Sequence, residues 1–313
     1  MYIAIFLYFC RMKLSVIIPV YNVKDTLSRC VHSFTTQGFR DYELLLIDDA
    51  STDGSGSLCD ELAKEDNHIR VIHRKENGGL SEARNTGLRK CHGAHIMFAD
   101  SDDFIANNCL REWMMLINVH PDYDILEFPV YMFYGSSKQR KLLLTNHVYT
   151  DMVEYWLKGE AYKHSYACNK IYRAEMFKDV SFPKGKVFED AHTLPLLLQN
   201  AHIVATTDIG LYYYCYNPKG ITNTATGIEL NDLLEAHLNY LNSQMDKIDV
   251  TSECFAHYYA HVLNIQLDVY ELTGREPQLM ILPVQTINLK LKLLKLIGLK
   301  KLCQFNKFIH KIK

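Results

Sequence analysis

The sequence lacks the cysteine spacing of a disulfide framework or of a zinc site. Its nine cysteines are odd in number and widely spaced, and no two of them form a CxxC pair. Disulfide-rich secreted domains and zinc sites both depend on closely spaced cysteines. We therefore expect free thiols, most of them in the core, in a protein of a reducing compartment.

The sequence also lacks an apolar run long enough to cross a membrane, which takes about 20 residues. The apolar start MYIAIFLYFC is shorter. It has neither the basic beginning nor the small-residue end of a signal peptide. Met12 stands directly before the first strand pattern. We expect the true start at Met12, which makes residues 1–11 either upstream sequence or a membrane-touching segment. Residues 1–12 thus form an N-terminal extension before the domain.

Acidic residues are absent after Glu276, whereas Lys290–Lys313 contains eight lysines. The formal net charge of the whole chain is only -2, which argues against a nucleic-acid partner. The tail at 289–313 alternates leucines with lysines and predicts a basic amphipathic helix, which can lie on an anionic membrane surface. A helix packed on the body with a solvated lysine face is the alternative. The apolar residues predicted to share one helix face are Leu294, Leu302, Phe305, Ile309 and Ile312.

From residue 12 to about 104 the sequence contains a regular alternation of strand and helix patterns. The predicted strands are 14–20, 42–48, 69–73 and 95–99, and the predicted helices are 24–37, 55–66 and 81–91. Ser81 is a candidate helix cap. Spacing of i, i+3, i+4 and i+7 predicts one buried helix face, formed by Leu27, Cys30, Val31 and Phe34. Strands and helices in this alternation predict a parallel sheet with right-handed crossovers.

Beyond residue 104 the alternation loosens. We predict a helix at 109–119, a strand at 123–134 broken by Pro129, mixed helical structure at 151–177, a helix at 187–201, and strands at 203–208 and 211–217. Two helices follow between 227 and 272, and a last one covers 286–312. The expected organisation is an α/β domain at 13–225 and a helical C-terminal region at 226–313. The domain would have a nucleotide-binding half at 13–105 and an acceptor and catalytic half at 106–225.

Polar segments follow each of the four predicted strands. They are PVYN at 19–22, DDASTDGS at 48–55, HRKENGGLSEARNTG at 73–87 and DSDD at 100–103. Ligands of parallel α/β sheets bind at the carboxyl ends of the strands. One such segment alone is most often a turn or a helix cap, but four on one edge predict a cleft of nucleotide size.

The residue types of these segments suit a nucleotide diphosphate. Asp48 and Asp49 can accept hydrogen bonds from a base or a ribose, and Tyr21 offers a flat face for stacking. The NGG segment at 77–79 allows the backbone to approach phosphate closely at a helix N-terminus. Arg84 can offset the charge of a pyrophosphate.

The carboxylates of DSDD lie so close together in the sequence that they repel one another unless a cation binds between them. Asp100 and Asp102, two residues apart at a strand end, can both face one hard divalent cation such as Mg²⁺ or Mn²⁺. Such an ion would also bind the diphosphate. This stretch therefore predicts a metal site.

Four segments occur in order: LSVIIPVYNVKDTLSRCVHSF, YELLLIDDASTDGS, NGGLSEARNTGL and MFADSDDF. Together they resemble the signatures of the family 2 glycosyltransferases, which have the GT-A fold. The resemblance is dense over 13–105 and thinner to about 225. It implies a mostly parallel sheet flanked by helices. It also implies that the DxD motif, Asp100 and Asp102, binds a divalent metal and a nucleotide diphosphate.

The resemblance also implies contacts to the donor. The nucleotide-sugar-binding residues that we predict are Pro19, Tyr21, Asn22, Asp48, Asp49, Asn77, Gly78, Arg84, Asp100 and Ser101. Ala50 departs from the glycine that is common after the Asp pair, and because alanine is the smallest alternative we take the loop to be retained.

The family also needs a carboxylate base, usually the Asp of a late Glu-Asp pair. VFEDAHTL supplies Glu189 and Asp190 at a predicted helix start, and the resemblance implies that Asp190 is the base. Acids at this position can also serve the helix dipole alone. Glu189 and His192 are candidates for a supporting or acceptor-side role.

Two later segments match the family less closely. YYYCYNPKGITNT at 212–224 has Cys215 or Tyr216 where the family commonly has arginine, so this loop departs from the family's donor-phosphate contact. ACNKIYR at 167–173 resembles the acceptor-side segment, which makes Asn169 and Lys170 candidates for contact with the acceptor.

The resemblance implies an inverting, metal-dependent enzyme that moves one sugar from a nucleotide-diphospho-sugar, a UDP-sugar by preference. The acceptor would be a hydroxyl of a glycan or lipid-linked saccharide in cell-surface polysaccharide or lipopolysaccharide biosynthesis. The Gln-x-x-Arg-Trp segment of processive members is absent. We expect the protein in the cytoplasm or on the inner face of the cell membrane.

Other classes of protein remain as alternatives. A catalytically inactive sugar-nucleotide binder would have the same motifs. A nucleotidyltransferase is disfavoured because no Gly-rich basic loop follows the first strand. A dinucleotide-binding dehydrogenase is disfavoured because GxGxxG is absent at that turn.

Overall fold

The computed structural model describes residues 14–218, 220 and 224–312. The predicted extension at 1–12 lies outside these residues. The described chain forms two compact units. The first comprises 14–150, 166–185 and 196–218, and the second comprises 151–165, 186–195 and the described residues from 220 onward.

The first unit contains an eight-stranded sheet whose parallel half follows the predicted alternation. The parallel strands are β1 (Leu14–Val20), β2 (Tyr42–Asp48), β3 (Ile69–His73) and β4 (His95–Phe98), in the order β3-β2-β1-β4. The helices that connect them are α1 (Lys24–Thr35), α2 (Ser55–Glu65) and α3 (Gly79–Lys90). Every residue of β1 and β2 is buried, as expected of continuous apolar runs in a parallel sheet.

The start of α3 differs from the prediction. The helix begins at Gly79 with Gly78 at the cap position, so the predicted cap at Ser81 is wrong and this serine is buried in the first turn. The helix start is held by Asp49, whose carboxylate binds the backbone N–H groups of the two glycines. Helix α1 confirms the predicted buried face of Leu27, Cys30, Val31 and Phe34.

The other half of this sheet pairs strands that are far apart in the chain. Strand β10 (Lys170–Arg173) runs antiparallel to β4 and to β6 (Ile125–Glu127). Strands β11 (Val204–Thr206) and β9 (His147–Tyr149) complete the order β4-β10-β6-β11-β9. The prediction of mixed helical structure at 151–177 is wrong for β10, because a strand of four residues is too short to show a period of two.

A second, smaller sheet has the order β5-β12-β7-β8. Its strands are β5 (Phe104–Ile105), β12 (Tyr212–Cys215), β7 (Val130–Tyr134) and β8 (Arg140–Leu142). Pro129 separates β6 from β7, as predicted. Helix α4 (Cys109–Val119) is confirmed, and its Trp113 stacks on Phe128 with the ring centroids 3.7 Å apart. The strands β5, β8 and β9 were not predicted, because each has only two or three residues.

The second unit is helical. Its helices are α5 (Met152–Leu157), the first part of α6 (Glu189–Leu198), α7 (Gly227–Gln244), α8 (Glu253–Thr273), α9 (Leu289–Ile297) and α10 (Leu299–Ile312). The two helices predicted between 227 and 272 are confirmed as α7 and α8. Trp156 stacks on Tyr240 at 4.4 Å and meets Tyr258 edge-on at 6.0 Å, so aromatic rings fill this core. Short 3-10 turns of the described chain lie at Ala161–Lys163, Ala174–Phe177 and Met245–Lys247.

The single helix predicted at 286–312 is wrong, because Gly298 separates α9 from α10. Its φ of +77° is a backbone conformation that glycine adopts readily and other residues rarely do. Across the described chain, the structure shows no helix that combines the length and the apolar composition of a membrane span.

The apolar face that was predicted for the tail is only partly buried. Leu294 and Leu302 are buried, whereas Phe305 and Ile309 are exposed. The side chain of Ile312 lies outside the described ones. The buried part of the predicted face therefore ends at Leu302, and the described side chains beyond it on this face are exposed.

Candidate active site

Three carboxylates follow β4 at the edge where the parallel strands end. Asp103 is buried, and its two oxygens accept hydrogen bonds from the Tyr212 hydroxyl at 2.8 Å and from the Cys215 backbone N–H at 2.7 Å. Burial, followed by the charges of Asp100 and Asp102, raises the pKa of Asp103 well above its usual range. Asp103 is therefore an internal anchor that joins this edge to β12.

Arg84 holds the carboxylate of Asp100. Its Nη2 donates to Oδ1 of Asp100 at 2.9 Å. The guanidinium is buried and lies over the rings of Phe98 and Phe182, at 5.8 and 5.2 Å from their centroids. A buried cation needs an anionic partner, and Asp100 supplies one. The direct diphosphate contact implied for Arg84 stays a prediction.

Asp102 lies between α1 and the loop after β12. Its Oδ2 accepts a hydrogen bond from Asn217 Nδ2 at 2.9 Å, and its backbone carbonyl accepts one from Arg29 Nη2 at 2.5 Å. The same Nη2 of Arg29 lies 3.4 Å from the Sγ atom of Cys215. Arg29 and Asn217 were not predicted, because no local pattern indicates which residue of α1 or of this loop faces the carboxylates. An arginine of α1 therefore lies beside Cys215, which is one of the two positions, with Tyr216, where the resemblance leads us to expect an arginine.

Three side chains at this edge bring possible metal ligands together. One atom each of Asp100, Asp103 and Cys168 lies within 4.8 Å of the others. Mg²⁺ and Mn²⁺ prefer carboxylate oxygens to thiols, and both oxygens of Asp103 already accept hydrogen bonds. The predicted pair of ligands, Asp100 and Asp102, stays a prediction, because Asp102 is not part of this cluster. Cys168 was not predicted, because it comes from a distant segment of the chain.

Asp49 fixes the loop in front of α3. Its carboxylate accepts hydrogen bonds from the backbone N–H groups of Gly78 at 3.1 Å and Gly79 at 2.8 Å. It also forms an ion pair with Arg74. Asn77 Oδ1 also accepts the Gly79 N–H, at 2.9 Å. The Asp49 carboxylate therefore occupies the N–H groups of this helix N-terminus, and the predicted approach of phosphate to the NGG segment stays a prediction. A contact between Asp49 and a base stays a prediction.

Asp48 is buried at the end of β2. Its Oδ1 accepts a hydrogen bond from the Ser51 backbone N–H at 3.0 Å, and its Oδ2 lies 2.8 Å from His73 Nδ1. Burial alone would raise the pKa of Asp48, but hydrogen bonds with Ser51 and His73 outweigh burial and lower that pKa. The hydrogen bond to Asp48 raises the pKa of His73 in turn. Asp48 is therefore an ionised carboxylate at neutral pH.

The loop after β1 exposes a flat ring. Tyr21 is 48% exposed, which suits the predicted stacking role. Asn22 is at φ +52°, and its Oδ1 accepts the Thr52 backbone N–H at 2.8 Å, which joins this loop to the one after β2. Pro19, by contrast, is buried within β1, and its nucleoside contact stays a prediction.

Two small residues complete these loops. Ala50 is at φ +59°, a left-handed conformation that costs glycine little and alanine about 1 kcal/mol. The loop nevertheless keeps this conformation without glycine. Ser101 is buried, and its carbonyl accepts a hydrogen bond from the Thr26 hydroxyl of α1 at 3.1 Å.

The Glu-Asp pair occupies the first two positions of α6, within the second unit. Glu189 is buried and Asp190 is partly exposed. Phe188, directly before them, is at φ +55°, which is strained for a large side chain. His192 is partly buried, and burial lowers its pKa. A carboxylate after a strained turn is a candidate functional group, and the role of Asp190 as base stays a prediction.

Asn169 and Lys170 are fully buried. The Lys170 ammonium lies 3.0 Å from Glu127 Oε1 and donates to Asn169 Oδ1 at 2.8 Å. Asn169 in turn donates to the same carboxylate at 3.1 Å. This network joins β10 to β6, and contact of these two residues with an acceptor stays a prediction.

The structure combines a mostly parallel sheet, polar loops at its strand ends and an Asp-x-Asp motif after β4. Together these features define a glycosyltransferase of the GT-A fold. The model of "Glycosyl transferase family 2" matches residues 15–181, which is more than half of the chain. The chain therefore belongs to glycosyl transferase family 2.

Relatives and solved structures agree with this family. The chain is 29% identical to glycosyltransferase GlyA of Streptococcus pneumoniae. The match covers 72% of this chain but only 33% of GlyA. The chain is 31% identical to the uncharacterized glycosyltransferase EpsJ of Bacillus subtilis over 72% of its length and 66% of EpsJ. The structure of S. aureus TarS 1-349 in complex with UDP-GlcNAc is similar with a TM-score of 0.67 and 23% identity, over 84% of this chain and 76% of that one.

Proposed function

We propose that this glycosyltransferase moves one sugar per event from a UDP-sugar to an acceptor hydroxyl, with inversion at the anomeric carbon. The observation that supports this most is the acidic edge itself. Asp100 and Asp102 lie at the ends of the parallel strands, and Arg84 orients the first of them. This is the place where a parallel sheet binds a nucleotide.

The loops beside this edge support a nucleotide donor. Tyr21 offers an exposed ring for the base. The Gly78 and Gly79 N–H groups begin α3, and a donor phosphate would replace the Asp49 carboxylate as their acceptor. TarS, which shares the fold, was solved with UDP-GlcNAc bound. We therefore take a UDP-sugar as the donor.

Asp190 is the base in this proposal. Its carboxylate accepts the proton of the acceptor hydroxyl, and the oxygen of that hydroxyl attacks the anomeric carbon from the face opposite the diphosphate. The bond from this carbon to the diphosphate oxygen breaks, and its electron pair leaves with the nucleoside diphosphate. Asp100 and Asp102 would hold Mg²⁺ or Mn²⁺, which offsets the charge of the departing diphosphate.

The acceptor in this proposal is a glycan or lipid-linked saccharide of cell-surface polysaccharide biosynthesis. The basic tail supports a location at the inner face of the membrane. Its α9 and α10 combine exposed apolar side chains with lysines, and no acid follows Glu276. Such a surface binds anionic lipids.

The test is a screen of UDP-sugars for metal-dependent hydrolysis, followed by transfer assays with two variants. We expect Asp102→Asn and Asp190→Asn each to lower sugar transfer by about 100-fold or more, because one weakens the metal site and the other removes the base. Asp122→Asn, which changes an exposed acid before β6, is the control and should keep the native rate. Circular dichroism shows whether each variant is folded.

Full transfer activity in both Asp102→Asn and Asp190→Asn would overturn the proposal. Hydrolysis that continues undiminished in EDTA would overturn the metal assignment. Calorimetric binding of UDP without turnover of any donor would favour the catalytically inactive binder instead.

A further inference from the structure

One face of the small sheet is an aromatic row that the reaction chemistry does not use. The strand register pairs Phe104 with Tyr213, Tyr213 with Tyr131, and Tyr131 with Lys141. Paired residues on neighbouring strands point to the same face, so this row crosses all four strands. Tyr134 adds a fourth ring, with its centroid 4.9 Å from that of Tyr213 and 5.6 Å from that of Phe104. We call these rings the aromatic face.

The two sides of this sheet differ in burial. Ile105, Val130 and Tyr212 point away from the aromatic face and are fully or almost fully buried. The rings of the aromatic face are partly exposed, and Tyr134 is 38% exposed. Contiguous exposed rings of this kind mark binding surfaces, whereas single exposed apolar residues are common on any protein.

Cations flank the aromatic face at both ends. The guanidinium of Arg29 lies 5.1 Å from the centroid of Phe104, and the ammonium of Lys141 lies 5.3 Å from that of Tyr131. The β7–β8 hairpin at 130–142 has three cationic side chains and no acid. Its positive charge is complementary to an anionic ligand.

The aromatic face is continuous with the acidic edge. Phe104 directly follows Asp103 in the chain. Tyr212, which precedes Tyr213 in β12, donates its hydroxyl hydrogen bond to the Asp103 carboxylate. Arg29 contacts both places, because it lies over Phe104 and donates to the Asp102 carbonyl. A ligand that covers the rings therefore ends beside the predicted metal site.

We propose that the aromatic face binds the acceptor of the transfer reaction, and that this acceptor is a saccharide chain with anionic groups, either phosphate diesters or carboxylates. The inference rests on the proposed function and adds the chemical class of the acceptor. Sugar rings have an apolar face of C–H groups that can cover aromatic rings and remove both from water. Phosphate or carboxylate groups on the same chain would pair with Arg29 and Lys141.

The test measures binding of three polymers of similar length to the full chain by calorimetry. The anionic probes are a phosphomannan, whose sugars are linked through phosphate diesters, and polygalacturonate, which has carboxylates, and the neutral probe is dextran. We expect at least one anionic probe to bind, more weakly as salt is added because exposed charges are screened. Tyr134→Ala and Lys141→Ala should each weaken this binding by roughly tenfold. Lys64→Ala, which removes an exposed lysine of α2, is the matched control and should bind like the native chain.

Three outcomes would overturn the inference. The first is that neither anionic probe binds. The second is that dextran binds as tightly as the better anionic probe. The third is that the two variants at the aromatic face bind like the native chain. Binding of UDP to the native chain is measured in the same calorimeter. Its absence would count against the proposed function, whereas UDP binding with failure of the polymers would count against the acceptor class alone.

Discussion

At the scale of single residues, the buried histidines of the second unit link stability to pH. His237 is fully buried with its Nδ1 3.2 Å from the Tyr258 hydroxyl, and burial lowers its pKa to about 3. Burial also lowers the pKa of His261, whose ring centroid is 5.3 Å from that of His237, to about 4. Both side chains titrate near 6.5 in an unfolded chain. Below about pH 6.5 the unfolded state therefore binds more protons, and stability is lost as the pH falls towards 4.

We expect the free energy of unfolding to fall by about 1 to 2 kcal/mol for each of these histidines between about pH 7.5 and pH 5. His237→Gln cannot titrate, so this variant should show a shallower fall. His257→Gln, which changes an exposed histidine of α8, should keep the native dependence. Urea unfolding at both pH values measures the difference, and the same fall in native chain and His237→Gln would contradict the prediction.

At the scale of secondary-structure elements, one buried ion pair joins β10 to β6. Both Lys170 and Glu127 are fully buried, with 3.0 Å between the ammonium nitrogen and the carboxylate oxygen. Removing one partner leaves the other charge buried without compensation, which costs far more than the pair itself contributes. The network therefore makes the pairing of these two strands depend on both residues.

We expect Lys170→Met to lower the free energy of unfolding by about 3 to 5 kcal/mol, as measured by urea unfolding. Lys158→Met is the control, because it removes an exposed pair with Glu154 in α5 and should cost less than about 1 kcal/mol. Replacing Lys170 and Glu127 together by methionine should recover much of the loss. If Lys170→Met instead keeps its stability but loses sugar transfer, the predicted acceptor contact gains support.

At the scale of the whole molecule, the tail predicts association with an anionic membrane. Leu296, Phe305 and Phe308 are 69%, 46% and 62% exposed, and they lie among lysines in a segment without acids. Apolar side chains of this size enter the lipid boundary while the lysines attract anionic headgroups.

We expect the chain to bind vesicles that contain phosphatidylglycerol and to bind phosphatidylcholine vesicles poorly. The double variant Phe305→Ser with Phe308→Ser should weaken this binding by about tenfold or more, because each ring contributes about 1.5 to 3 kcal/mol of burial. Leu143→Ser, which changes an exposed apolar residue of the first unit, is the control. Sedimentation with vesicles measures the bound fraction. Equal binding to both lipids, or no loss in the double variant, would contradict the prediction.

The sequence by itself determined the parallel half of the large sheet and most of the loops around the acidic edge. Those features depend on continuous stretches, such as the apolar run of β1 and the polar segment 100–103, whose pattern is local. Only the tertiary structure brought Arg29 to Asp102 and Cys168 to Asp100, placed β10 between β4 and β6, and formed the aromatic face. These contacts join residues from distant parts of the chain, and no local periodicity indicates which distant partners will meet.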